Sequence, residues 1–198
     1  MRRIIWLMLI ALTLSSCFVS SSLLFTESDV QESKNLLANP GFAPYSLSPN
    51  EALRGWSILV EPYSADYDKI RIDPTQALEG DTSLRIAASD KDVMLISEPF
   101  KVRRYGGYYS RVMLKTDSPK PPQITLRMIT FKEDGKVTNR FKEKTSLLEG
   151  WNRLAVSAGF LRPGVSFGRI SILIPPFAEG SVWIDDAGCW EVHGFRID

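Results

Sequence analysis

From residue 35 onward, hydrophobic positions alternate with polar ones over short stretches, and a helical period never persists for three turns. That pattern predicts an all-β chain. Strands are expected at 56–61, 70–73, 83–87, 93–96, 100–102, 108–116, 123–131, 136–139, 152–158, 169–174 and 181–186. Turn formers separate them: Asn39-Pro40-Gly41, Glu79-Gly80-Asp81, Gly106-Gly107, Glu133-Asp134-Gly135, Glu149-Gly150, Arg162-Pro163-Gly164 and Glu179-Gly180. A spacing near ten residues between strands is that of a β-sandwich or jelly roll.

Because side chains alternate across a strand, the pattern also assigns faces. Tyr108, Val112 and Leu114 oppose Tyr109, Arg111, Met113 and Lys115; Ile124, Leu126 and Met128 oppose Thr125, Arg127, Ile129 and Phe131; Ile170, Ile172 and Ile174 oppose Arg169, Ser171 and Leu173. Each strand has one apolar face and one mixed face. The mixed face, with Arg111, Arg127 and Arg169 among Met113, Ile129 and Leu173, reads either as a ligand surface or as a solvated face with snorkelling arginines. In the last strand Trp183, Asp185, Ala187 and Cys189 alternate with Ile184, Asp186 and Gly188.

The first residues follow another rule. Arg2 and Arg3 precede the apolar run Ile4 to Leu14, then Ser15 and Ser16 before Cys17, the plan of an export signal. Leu14-Ser15-Ser16-Cys17 resembles the bacterial lipobox, whose cysteine is diacylated and becomes the new first residue. The resemblance implies lipidation at Cys17, a place in the cell envelope, and the outer membrane in particular, since Phe18 and not aspartate follows the cysteine. The expected organisation is a signal peptide at 1–16, a lipidated tether at 17–34 with a short helix in 28–33, a folded domain at 35–193 and a tail at 194–198. With Cys17 acylated, Cys189 has no partner for a disulfide and reads as a small buried hydrophobe.

Composition narrows the partners. There are 24 Lys+Arg against 23 Asp+Glu, and losing Arg2 and Arg3 with the signal leaves 22 against 23. That balance argues against nucleic acid or an anionic surface as an electrostatic partner, leaving the lipid anchor as the expected link to the membrane.

Taken together, Asn35 to Phe42, Gly55-Trp56, Gly80 to Ile86, Tyr108 to Thr116, Gly150-Trp151 and Val182-Trp183-Ile184-Asp185-Asp186 resemble the CenC-like carbohydrate-binding modules over most of residues 35–192. That family implies a galactose-binding-domain-like jelly roll. It also implies a structural calcium, with Asp185 and Asp186 as side-chain ligands beside backbone carbonyls near Asn35 and Gly80. Ala43 stands where many members carry an acidic residue. Trp56 and Trp151 read as core residues behind turn glycines. The expected ligand-binding residues are Tyr109, Arg111, Arg127, Arg169 and Trp190, with the loop tyrosines Tyr63, Tyr67 and Tyr105 as further candidates. Arginines on such a face suit an acidic or highly hydroxylated polysaccharide or glycoconjugate, because guanidinium pairs bidentately with carboxylate.

The sequence contains no phosphate loop, dinucleotide fingerprint or nucleophile elbow, so no organic cofactor is expected. Its one histidine, His193, lies near the C-terminus. Of the paired carboxylates, Asp66/Asp68, Asp90/Asp92 and Glu133/Asp134 fall in expected loops, and Asp185/Asp186 are strand neighbours expected on opposite faces. The reading is a non-catalytic carbohydrate-binding lipoprotein. The alternative is an envelope lipoprotein of the same fold that acts through a protein partner, as a surface-complex subunit or adhesin.

Overall fold

The structure, a computed structural model, describes residues 25–43, 53–61 and 69–193. The export signal, Cys17, Tyr63, Tyr67, Asp66, Asp68 and the 194–198 tail lie outside the described residues.

Two antiparallel sheets form a jelly-roll sandwich. The first orders β1 (Trp56–Glu61), β4 (Asp92–Ser97), β10 (Phe167–Ile174), β7 (Gln123–Phe131) and β8 (Val137–Ser146), with β5 (Phe100–Lys101) also pairing with β10. The second orders β2 (Ile70–Asp73), β3 (Ser83–Ser89), β11 (Phe177–Glu191), β6 (Tyr108–Thr116) and β9 (Asn152–Ala158). Residues opposite one another in register share a face, so pairs such as Ile172 with Leu126 and Ile184 with Leu114 build the interior row by row. Leu126, Met128, Ile170 and Ile172 of the first sheet, and Leu84, Ile86, Leu114 and Ile184 of the second, are all at most 1% exposed. Each such side chain contributes roughly 1.5–3 kcal/mol by leaving water.

Two strands outrun their predicted bounds by four residues or more. β8 continues to Ser146 through Arg140-Phe-Lys-Glu-Lys144, where charge hides the alternation; it is an edge strand, and charged side chains protect an edge from pairing with other chains. β11 absorbs the expected Glu179-Gly180 turn as a register irregularity between Phe177 and Ser181. Trp56 is a core residue as expected: its ring lies 5.3 Å from that of Phe42 and its Nε1 donates to the Asn39 carbonyl at 3.2 Å. Gly55, at φ 90°, lets that strand start against Ala38, whose Cβ would lie 2.8 Å from any Cβ at 55. Trp151, expected in the core, is only half-buried.

The tether reading needs correction where it is described. A 3-10 helix, Glu27–Val30, replaces the expected helix at 28–33; residues 25–30 cover the outer face of the second sheet and residues 33–36 run along the edge of β11. The Phe25 amide donates to Ser157 Oγ at 2.9 Å, Val30 is buried with Tyr109 and Val192, Ser33 Oγ donates to the Glu191 carbonyl, and the Leu36 amide donates to the Cys189 carbonyl. Among the described residues no helix is long and apolar enough to cross a membrane.

Candidate functional site

A bulge in β11 organises the second sheet. β11 and β6 pair in register up to Asp185 with Met113 and resume at Gly188 with Arg111, so one extra residue sits in β11. Asp186 stands there in the left-handed region, at φ 43°. The extra residue shifts the alternation by one. Trp183 and Asp185 share the outer side, whereas Ala187 and Cys189 join the core, correcting the expectation that these four share a face.

Asp185 is fully buried and has no cationic partner among the described residues. Its Oδ2 accepts from the Leu78 and Glu79 amides at 2.7 and 3.1 Å, and its Oδ1 from the Asp186 amide at 2.7 Å. Three N–H dipoles thus compensate the carboxylate and tie the turn at 78–81 to the last strand. The Asn35 side chain is equally committed: its Oδ1 accepts from the Leu37 and Cys189 amides, and its Nδ2 donates to the Ala187 carbonyl.

Asp186 pairs instead with Arg111 Nη2 at 2.5 Å, while Nη1 of the same guanidinium reaches Glu27 at 2.6 Å, with Arg153 3.2 Å from Glu27. One arginine pulls both carboxylates down, yet their net shifts are opposite. Burial pushes the Asp186 carboxyl up against the pull of Arg111, whereas the Arg111 hydrogen bond holds the more exposed Glu27 below its usual range. Arg111 also lies over the Trp190 ring, 5.3 Å from its centroid, and Tyr109 stacks on Trp190 at 6.2 Å. The indole rests across Gly188, where a Cβ would come within 1.9 Å of it.

These groups border a cavity of about 480 Å³ whose wall includes Asn35, Glu79, Asp81, Arg111, Asp186 and Trp190. The sequence singled out most of them, and the fold brings Arg111, Trp190, Asp186, Gly80 and Asn35 to one place. They do not fit a calcium ion as they stand. Both Asp185 oxygens face N–H donors, Asp186 faces a guanidinium, and the Asn35 oxygen is taken; no group of three or more acidic, histidine or cysteine side chains among the described residues forms a metal cluster. Tyr109, expected as a sugar platform, is 3% exposed because the segment at 25–30 covers it, and Trp190 is half-buried.

Arg127 and Arg169 lie elsewhere, on the outer face of the first sheet, so the expected single arginine face divides between the two sides of the sandwich. Strand alternation tells which residues share a face within a strand, not to which sheet that strand belongs. Register places three cross-strand rows on this outer face: Leu59, Met94, Leu173, Thr125 and Lys144; Ser57, Ile96, Ser171, Arg127 and Lys142; and Arg169, Ile129 and Arg140. Its β1–β4 half is apolar and its β7–β8 half cationic. Arg127, Arg140, Lys142 and Lys144 have no ion pair among the described residues. At the centre Ser171 Oγ is buried without a hydrogen-bond partner. Sequence reasoning missed Arg140, Lys142 and Lys144 because the predicted strand ends at 139; the in-register row emerges only once β8 is paired with β7.

No family model and no curated protein matches the chain. Solved structures do. The enzymatically active domain of bacteriophage CBA120 tailspike protein 4 superposes with a TM-score of 0.61 at 10% identity, over 80% of this chain and 21% of that one. The carbohydrate-binding module TmCBM61, solved with beta-1,4-galactotriose, gives 0.55 at 15% identity over 79% of this chain and 97% of that one. The arabinose-bound MgGH51 α-L-arabinofuranosidase gives 0.56 at 14% identity over 79% and 26%. The chain thus spans about a fifth of the tailspike protein, a quarter of the arabinofuranosidase and nearly all of the module. At these identities the likeness is one of fold: the β-sandwich of carbohydrate-binding modules, which also occurs as part of larger enzymes.

Proposed function

We propose that this chain is a non-catalytic, CenC-like carbohydrate-binding module held at the bacterial envelope by a lipid on Cys17, and that an acidic glycan lies across the outer face of its first sheet. The observation that carries the reading is the division of that face. An apolar strip of Leu59, Met94, Ile96 and Leu173 adjoins Arg127, Arg140, Lys142 and Lys144, none of them ion-paired among the described residues. Five strands at about 4.8 Å spacing make a surface roughly 20 Å wide, enough for several sugar rings. The C–H faces of pyranoses suit the strip, and carboxylate or sulfate groups suit the guanidinium and ammonium groups beside it.

The test is a glycan array probed with the mature chain and with an Arg127→Ala/Lys142→Ala variant. Selective capture of acidic glycans is expected, weakened about 10- to 100-fold in the variant, since hydrogen bonds to charged groups contribute about 1.5–3 kcal/mol. A folded wild-type chain that binds no glycan overturns the reading and favours action through a protein partner. Acidic-glycan binding unaffected by the variant moves the site off this face.

A further inference from the structure

We infer that the end of the sandwich carrying Tyr105 and Phe160 docks on the lipid surface in which the chain is anchored; the choice of occupant rests on the lipoprotein reading. Two loops meet at this end, joined by a hydrogen bond from the Tyr105 amide to the Leu161 carbonyl at 3.0 Å. Each lifts an aromatic into solvent: Tyr105 is 49% and Phe160 46% exposed. Both residues sit in the left-handed region, at φ 58° and 52°. Bulky residues adopt that backbone only at a steric cost, which these loops bear while holding their rings outward.

Cations surround the rings. Arg103, Arg104 and Arg162 are exposed, and the Arg104 guanidinium lies 6.0 Å from the Tyr105 ring centroid. Arg103 is paired with Glu191, and on the neighbouring hairpin Asp134 is paired with Lys136; Glu133 has no ion pair among the described residues, but Arg104, Arg162 and Lys132 outnumber it. The near-neutral charge of the whole chain conceals this local excess. Exposed aromatics with basic neighbours match the boundary between acyl chains and anionic headgroups.

The course of the N-terminal segment selects the membrane as occupant. The Phe25 ring lies against Gly107, two residues beyond Tyr105, where an added Cβ would be 2.8 Å from the ring. Phe25 is eight residues on from Cys17, a reach of at most about 28 Å even fully extended. An acylated Cys17 therefore holds this end within that reach of the bilayer, whereas Leu148, 74% exposed beyond the start of β9, lies about a strand length, roughly 20 Å, farther from the attachment point.

The test places a fluorescent label on the mature full chain through Pro163→Cys, beside the two rings, or Leu148→Cys at the far end. Cys189 is fully buried and escapes labelling. With vesicles of phosphatidylethanolamine and phosphatidylglycerol, the label at 163 is expected to be shielded from a water-soluble quencher and reached by a lipid-borne one, while the label at 148 remains in water. Tyr105→Ser with Phe160→Ser should abolish the shielding. Arg104→Gln and Arg162→Gln should each lower binding to these vesicles about fivefold, with no change on phosphatidylcholine. Equal accessibility of the label at 163 with and without vesicles, or equal shielding at both positions, overturns the proposal. The mass of the processed N-terminus judges the anchor separately. If Cys17 carries no acyl chain the lipoprotein reading fails, and the tip is then decided by the same labels on a Cys17→Ser chain mixed with excess vesicles, since an unacylated Cys17 would itself take the label.

Discussion

Replacing Asp185 by alanine tests what holds the turn at 78–81 to the last strand. The substitution leaves three N–H groups, those of Leu78, Glu79 and Asp186, without the acceptor they now share. An orphaned buried donor costs about 1–3 kcal/mol. Water entering from the adjacent 480 Å³ cavity recovers part of that, and removing a buried charge relieves its own desolvation. The net loss is expected to be about 3–5 kcal/mol, and at about 2–4 °C per kcal/mol for a chain of this size Tm should fall by roughly 6–20 °C. Thermal and urea unfolding of wild type and Asp185→Ala, each in calcium and in chelator, measures this. If N–H groups alone satisfy the carboxylate, both proteins are indifferent to calcium. A variant within about 1 kcal/mol of wild type refutes the argument. So does a wild type that gains about 2.7 kcal/mol at a hundredfold excess of calcium over its Kd, with the gain absent in the variant, because Asp185 is then an ion ligand.

Gly188→Ala should cost about 1–3 kcal/mol, because its Cβ meets the Trp190 ring, and less in a Trp190→Ala background; a double-mutant cycle by urea unfolding reads the difference. Docking of the N-terminal segment should weaken in acid. The folded pKa of Glu27 is depressed, so its contribution is fully present above the usual glutamate value of 4.5 and is lost as pH falls through the lowered one. Asp186 acts in the opposite sense: its raised pKa costs stability at neutral pH, and the cost is relieved when it takes up a proton. Amide exchange at Val30 and Ser33 against pH should show protection failing on the acid side, and Glu27→Gln should reduce that dependence, leaving the part carried by Asp29, whose carboxylate the Thr26 amide and hydroxyl hold below its usual range. Arg111→Met should release the segment at neutral pH as well, exposing Tyr109 to iodination from its present 3% exposure, since it strips Glu27 and Asp186 of their shared cation.

Strand content was legible because one face of each strand is buried, and burial writes alternation into the residues. Tyr108–Thr116 and Gln123–Phe131 were bounded correctly from that signal alone, and Trp56 was recognised as core from the glycine before it. β8 was half missed because an edge strand with charged side chains carries little of that signal. The docking of residues 25–36 was hidden for a related reason: the segment is polar outward and contributes only a few apolar contacts, chiefly through Phe25 and Val30, so it reads as a tether.

What the chain determined by itself is therefore the all-β class, most strand positions, the interior face of the regular strands and the identity of several residues around the cavity. Three things were left to the tertiary structure. Pairing sent the Arg111 strand to one sheet and those of Arg127 and Arg169 to the other, since a period of two is the same in either. A one-residue bulge at Asp186 reversed the faces of the last strand, and a phase slip of that kind depends on a left-handed backbone that this aspartate adopts without a glycine to announce it. Packing decided which polar groups are spent: Asp185 on amides, Asp186 on a guanidinium and Tyr109 beneath Val30, while the cations of β7 and β8 remain unpaired among the described residues. Which groups remain available depends on neighbours brought from far along the chain, and local sequence carries no record of those distances.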